Sequence, residues 1–206
     1  MTLKNICMLI FFSIFITACS VKKLSQEELI LNKEGISKRT EIPQDLINEI
    51  NYILFLLKQN DLETLNARFI HSKFPYYELS MDDNQKKVII QKKSAIDEIN
   101  NYIDSFDIKK EEAIFDCNPF NDANYGWNKE GIFLNHSKDE YISKFMLQEN
   151  LLKANSYTQE EINKTILIEK NSYEVIVPYN IIFYLTKIDN IWYITLIDNI
   201  KTNCSK

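Results

Sequence analysis

With 206 residues, the chain is long enough for one domain with a substantial core plus a tether, and short for two domains. Its 45% hydrophobic and 26% charged residues are those of an ordinary globular protein, which excludes wholesale disorder and a multi-span membrane protein. A formal net charge of −5, with Arg39 and Arg68 as the sole arginines and no lysine run longer than two, excludes the basic face on which nucleic-acid binding depends.

The chain starts with Met1-Thr2-Leu3-Lys4-Asn5 and continues through the apolar run Ile6 to Ile16 into Thr17-Ala18-Cys19. A short cationic start, an apolar run and small residues before a cleavage point are the pattern of an export signal over residues 1–18. As a helix, Ile6 to Ala18 covers about 20 Å of a hydrocarbon core roughly 30 Å thick, too little to span it permanently. The segment Ile16-Thr17-Ala18-Cys19 resembles the lipobox of bacterial lipoproteins. The resemblance implies a diacylglycerol thioether on Cys19 and, once cleaved, palmitate-type acylation of its amino group. At about 0.8 kcal/mol per buried CH₂, two or three such chains anchor a protein to a membrane effectively for good. Ser20 rather than Asp follows Cys19, which by the same resemblance favours the outer membrane, with the domain facing the periplasm.

Of the four cysteines, Cys7 leaves with the signal and Cys19 is acylated, so Cys117 and Cys204 remain. An even pair in an oxidising compartment is expected to form a disulfide. Closing a loop of roughly 90 residues, it is worth about 4 to 5 kcal/mol in chain entropy and pins the carboxyl end. The rival, a zinc site using these cysteines with His71 and His136, lacks any short-spaced ligand pair. No metal and no other cofactor is expected.

Residues 19–41 are polar and form the lipidated tether, whose root-mean-square reach is about 25 Å. Ser25 and Glu28 make a capping box ahead of Leu29-Ile30-Leu31, with Gly35 as C-cap, so a short helix interrupts it. The domain proper spans 42–206. Its first helix starts near Pro43 and carries Leu46, Ile50, Ile53, Leu54 and Leu57 on one broad face. Asn60-Asp61 ends it and caps a second helix with Leu62, Leu65 and Phe69, completing a helical hairpin. Phe74 to Leu79 and Lys87 to Gln91 are β-formers about a turn at Asp82-Asp83-Asn84.

Residues 94–106 return to helical spacing behind Ser94 as N-cap. Ser137 caps a further helix, with Tyr141, Phe145, Leu151 and Leu152 expected to face inward, and Thr158 with Glu161 makes another capping box. The last third is expected to be a β-meander: Thr165 to Glu169, Tyr173 to Leu185 with a bulge or bend at Pro178, and Ile191 to Ile197. Its connections fall at Lys170-Asn171-Ser172 and at the tight turn Asp189-Asn190.

Catalytic templates that need closely spaced glycines fail, because Gly35, Gly126 and Gly131 are all the chain has. His71 and His136 sit at element boundaries, where a surface or capping role is commoner than general-base work. The most unusual stretch is Cys117 to Leu134, with Phe120, Tyr125, Gly126, Trp127 and Gly131. A calcium-loop register ending on Gly126 puts Ala123 and Tyr125 where oxygen ligands belong and fails. The aromatics of this stretch either form a binding loop or plug the open end of the domain. Asn163, in Glu161-Ile162-Asn163-Lys164-Thr165, matches a glycosylation sequon, as do Asn135 and Asn203 in an Asn-rich chain.

The expected fold class is α+β: an N-terminal helical hairpin packed on a curved antiparallel sheet that ends in a C-terminal meander. The helix break in LLKQNDLETL and the closing strand WYITLID resemble the nuclear-transport-factor-2-like and cystatin-like superfamily, over roughly residues 42–200. The resemblance implies a cone whose sheet wraps its helices around a pocket, used for binding or for catalysis in different members. The expected function is therefore a non-enzymatic envelope lipoprotein that binds a small ligand or a partner protein at the cone mouth and the 118–131 loop. The alternatives are a pocket enzyme using Asp116, His71 or a pocket Tyr as acid or base, and a structural component of an envelope assembly. An acid or base in an apolar cavity with a shifted pKa marks the enzyme, and a large exposed apolar patch marks the structural component.

Overall fold

The computed structural model describes residues 42–82, 87–98, 107–118, 120, 125–137, 140–153, 156–201 and 204. The export signal, Cys19, the tether with its Ser25–Glu28 box and Gly35, and the centre of the Asp82-Asp83-Asn84 turn lie outside the described residues.

The domain opens with α1 (Gln44–Gln59) and α2 (Leu62–Phe69). Pro43 is the N-cap of α1, where its missing N–H costs nothing. Asn60 ends the helix in the left-handed region at φ 53°, a conformation Asn tolerates. The Asp61 side chain accepts from the Thr64 backbone N–H and starts α2. All five predicted core residues of α1 are buried.

The strands are β1 (Tyr76–Asp82), β2 (Lys87–Lys93), β3 (Ile108–Lys109), β4 (Phe115–Asp116), β5 (Gly126–Trp127), β6 (Ile132–His136), β7 (Ser172–Val177), β8 (Ile181–Ile188) and β9 (Ile191–Asp198). Between β6 and β7 lie α3 (Tyr141–Leu152) and α4 (Gln159–Asn171). Seven strands form one sheet in the order β2-β1-β9-β8-β7-β6-β3, and β4 and β5 form a separate ribbon. The fold is α+β, with the helical hairpin ahead of the sheet and a β7-β8-β9 meander at its end. The sheet is mixed: β1 runs parallel to β9 and β3 parallel to β6, while its other pairs are antiparallel.

Two apolar clusters take alternate residues of the strands. Val175, Val177, Ile181, Phe183 and Leu185 join α1 and α2 in the first. Ile176, Ile182 and Tyr184 join Ile142 and Met146 of α3 and Ile162 of α4 in the second. With both faces covered, β7 and β8 have no need of a polar side, which is why they read as nearly continuous apolar runs. Between β8 and β9 the register shifts: Tyr184 pairs with Leu196 but Leu185 with Ile194, leaving Thr195 as the extra residue. The bulge puts Ile194 and Ile197, three apart, into the same cluster.

Several sequence expectations are corrected. Thr165 to Glu169 is not a strand, and Lys170-Asn171-Ser172 is not a hairpin turn. The Thr158–Glu161 capping box starts a helix that runs to Asn171 and buries Ile162, Thr165, Ile168 and Glu169 on one side. Packing of that face outweighs the β preference of Thr165-Ile166-Leu167-Ile168. Tyr173 to Leu185 is two strands, because Pro178 heads a tight turn closed by a bond from Asn180 N–H to the Val177 carbonyl, with Tyr179 at φ 60°.

Residues 94–98 are not helical; the rest of the predicted helix, 99–106, lies outside the described residues. The Asn66 side chain on α2 accepts from Ile96 N–H at 2.7 Å and donates to the Ile96 carbonyl at 2.9 Å. That amide claims both backbone groups a helix would use.

The N-cap of α3 is Glu140 rather than Ser137. Tyr141 is half exposed, and Leu151 and Leu152 point outward at 86% and 76% exposure; Ile142, Ser143 and Met146 are the buried residues instead. The buried Glu169 carboxylate sets this orientation. It accepts from Ile142 N–H at 2.6 Å, Ser143 N–H at 3.3 Å and the Ser143 hydroxyl at 2.6 Å. A carboxylate from α4 thus caps the positive end of α3 and fixes which side faces the sheet. Asp189-Asn190, at φ 50° and 64°, is the expected tight turn.

Candidate ligand-binding cleft

The β4–β5 ribbon is short, and side chains extend it. Phe115 pairs with Trp127 and Asp116 with Gly126. Beyond the pairs, Ile114 N–H donates to the Asn128 side chain at 2.8 Å, and Asn128 N–H donates back to the Ile114 carbonyl at 3.0 Å. Gly126 sits at φ 97°, and a Cβ there would meet the Tyr179 hydroxyl at 3.0 Å. That hydroxyl accepts from Trp127 N–H at 3.3 Å, so the glycine lets the ribbon close onto the β7–β8 turn.

Directly after β4, Cys117 is joined to Cys204 with Cα atoms 5.3 Å apart, the predicted disulfide. Other bonds hold the same tail. Asp198 accepts from Ile200 N–H and Lys201 N–H at 2.8 and 3.3 Å. The Trp127 indole N–H donates to the Lys201 carbonyl at 3.1 Å, and the Tyr125 hydroxyl to the Cys204 carbonyl at 3.4 Å.

Between ribbon, tail and sheet end lies a cleft of about 270 Å³. Phe115 and Trp127, with ring centroids 5.1 Å apart, wall it on the ribbon side together with Glu112. Asn135 on β6 and Glu174 on β7 are directly opposed, and Ile176 follows Glu174 on the same face. Here the second cluster's face turns polar: the Tyr184 hydroxyl donates to Glu174 at 2.7 Å. His136 also lines the cleft; its Nδ1 lies 3.0 Å from the Ser137 carbonyl and therefore carries the proton. Tyr141 of α3 and Lys201 of the tail complete the wall. The Lys201 ammonium lies 4.5 Å from the Tyr141 ring centroid and 4.0 Å from carboxylate oxygens of both Glu174 and Asp198.

The five residues of the predicted binding loop part company. Trp127 is 8% exposed and does both things considered for it: the indole is packed and hydrogen-bonded, and one side walls the cleft. Gly126 is buried beneath Tyr179. Gly131, at φ 127°, passes beneath the Lys109 side chain. Tyr125 latches the tail, and Phe120 is 94% exposed away from the cleft walls.

Of the acid–base candidates, Asp116 accepts from Asn118 N–H at 2.9 Å, and His71 packs between Phe74, tilted to it, and Tyr193, edge-on to it, with its Nδ1 accepting from Lys73 N–H. Burial pulls the His71 pKa down. Neither Asp116 nor His71 lines the cleft. Asn163 lies exposed in α4, where its side chain accepts from Gln159. Among the described residues no group of three or more His, Cys, Asp or Glu is placed to hold a metal, and no helix is long and apolar enough to cross a membrane.

No family model, curated protein or solved structure matches this chain. What the cleft does must therefore be argued from its own residues. Sequence reasoning missed Glu112, Tyr141, Glu174 and Lys201 as a group. Glu174 carried a signal, as the one charged residue in the apolar run Tyr173 to Val177; Lys201 carried none.

Proposed function

We propose that this chain is a lipid-anchored envelope protein whose domain is a non-enzymatic binding module, with the cleft between ribbon, tail and sheet end as its ligand seat. The cleft carries this reading. It sets apolar wall (Phe115, Trp127, Ile176) beside polar groups (Asn135, Glu174 and the Lys201 ammonium), the mixture by which small-molecule sites gain affinity from one part and orientation from the other. The envelope placement draws support from the signal and lipobox pattern of residues 1–19 and from the Cys117–Cys204 disulfide, which suits an oxidising compartment. The helical hairpin packed on a closing meander supports the likeness to the nuclear-transport-factor-2-like superfamily.

The ligand test is a fragment screen read by Trp127-edge fluorescence and by NMR. Fragments that bind the wild type and lose affinity in Phe115→Ala are expected; an absence of binding by any fragment overturns the binding-module reading. The anchor test is Cys19→Ser, which is expected to move the protein from the membrane fraction to the soluble one. Unchanged membrane fractionation overturns the placement.

A further inference from the structure

Lys201 is held in two different ways along its length. Its backbone is fixed at both ends, with N–H to Asp198 and carbonyl to the Trp127 indole. Its ammonium is not: 4.0 Å from Glu174 and from Asp198, it is beyond hydrogen-bond reach of either. Its close neighbour is the face of Tyr141, at cation–π distance. Two carboxylates and a ring face thus converge on a cation that is tethered at its root and loose at its head. Glu112 on the ribbon side adds a further negative charge to the walls.

Resting on the reading of this cleft as a ligand seat, we infer that its ligand is a small organic amine, and that the Lys201 ammonium occupies the amine's place in the free protein. A ligand ammonium takes the position between Tyr141 and Glu174, with its hydrocarbon body against Phe115 and Ile176. Lys201 leaves by rotating its own flexible stem, with no change in the backbone. A small carboxylate would instead have to settle beside Glu112 and Glu174, where like charges repel it.

An internal competitor has a measurable signature. A seat free for only a tenth to a fifth of the time weakens apparent binding about five- to tenfold. Removing the competitor returns that factor, so deleting a positive charge from the wall tightens binding of a positive ligand.

The experiment titrates the full mature chain, its Lys201→Met variant and its Glu174→Gln variant with phenethylamine and, as the matched anion, phenylacetate, by calorimetry at one ionic strength. Phenethylamine is expected to bind the wild type, to bind Lys201→Met about five- to tenfold more tightly, and to bind Glu174→Gln about tenfold more weakly. Gln keeps an acceptor for the Tyr184 hydroxyl, so this variant retains the local bond. Phenylacetate binding that Lys201→Met abolishes overturns the inference while leaving the cleft a binding site for anions. Phenethylamine binding indifferent to both substitutions also overturns it. If neither probe binds, the inference fails, and the fragment screen then separates the two ideas: hits sensitive to Phe115→Ala leave the binding module standing, and no hits take it down as well.

Discussion

The β7-β8-β9 meander and the ribbon-and-tail end of the domain are held by different physics. The meander is long, and its residues alternate between two apolar clusters; Phe183, Val175 and Leu185 are wholly buried. The ribbon has two residues per strand, too few to stand alone. It depends on the Asn128 extension, the indole bond to Lys201 and the Cys117–Cys204 bridge. Area burial carries the first region, and point contacts carry the second. Because the second supplies the ribbon and tail walls of the cleft, opposite Asn135, Glu174 and Ile176 on the sheet, the cleft can change shape without the fold being lost.

The sharpest way to break this comparison is to damage the meander first. Phe183→Ala leaves a cavity in the cluster that the sheet shares with the hairpin helices and is expected to cost about 3 to 5 kcal/mol. In chemical denaturation the whole domain should lose that stability together, near- and far-ultraviolet circular dichroism falling in one transition. Loss of the near-ultraviolet signal alone would mean that the meander is not the common support.

Removing the bridge, by Cys117→Ser with Cys204→Ser, is expected to cost about 2 to 5 kcal/mol. Here the loss should be unevenly distributed. Amide exchange should speed up at Trp127, Ile200 and Lys201 well before it does in β8. Uniform acceleration across β8 would join the two regions into one cooperative unit and remove the contrast.

Much of the meander and the hairpin was legible because their signals are local. The α1 face repeats at helical spacing, Asn60-Asp61 and Thr158–Glu161 are caps read within four residues, and Asp189-Asn190 is a turn read within two. Two of the misreadings have a distant partner in common. Ile96 is kept out of a helix by Asn66, and the rotation of α3 is set by Glu169. For the cleft, the stretch from Cys117 to Leu134 stood out by composition, and the disulfide followed from cysteine count. Tyr141, Glu174 and Lys201 line one cleft with Trp127 only through the strand order and the turned-back tail, which no local pattern records.

The Glu169 cap sharpens the comparison at an intermediate scale. Glu169→Ala leaves Ile142 N–H, Ser143 N–H and the Ser143 hydroxyl without their acceptor in a site where Glu169 is 5% exposed. The expected loss is about 2 to 3 kcal/mol. α3 should loosen on the sheet, seen as faster amide exchange at Met146, with α1 unaffected. An α1 that loosens equally would show that the two faces of the sheet do not respond separately.

The smallest expected effects come from two carboxylates of α4 whose pKa values move in opposite directions. Glu161 bonds to the Lys92 ammonium and to the Thr158 backbone, and these hold its carboxyl down at about 2. A carboxyl lowered on folding adds stability that is complete above its ordinary value near 4.5 and is lost as pH falls toward about 2. Glu169 is raised, chiefly by burial and in spite of its three donors. Its sign is reversed: the fold favours the protonated acid, so its contribution is greatest below the ordinary carboxyl value and declines as pH rises through the folded one. Stability measured against pH should therefore climb on the acid side through Glu161 and bend downward above it through Glu169. Glu161→Gln is expected to flatten the acid limb at a cost of about 1 kcal/mol or less near neutrality, because the pair is partly exposed and screened. Glu169→Gln should leave the acid limb intact and remove the downward bend. Denaturation midpoints of the two variants across pH 2 to 7 separate these cases. Parallel curves for both would mean that these carboxyls titrate in the folded protein as they do in the unfolded chain.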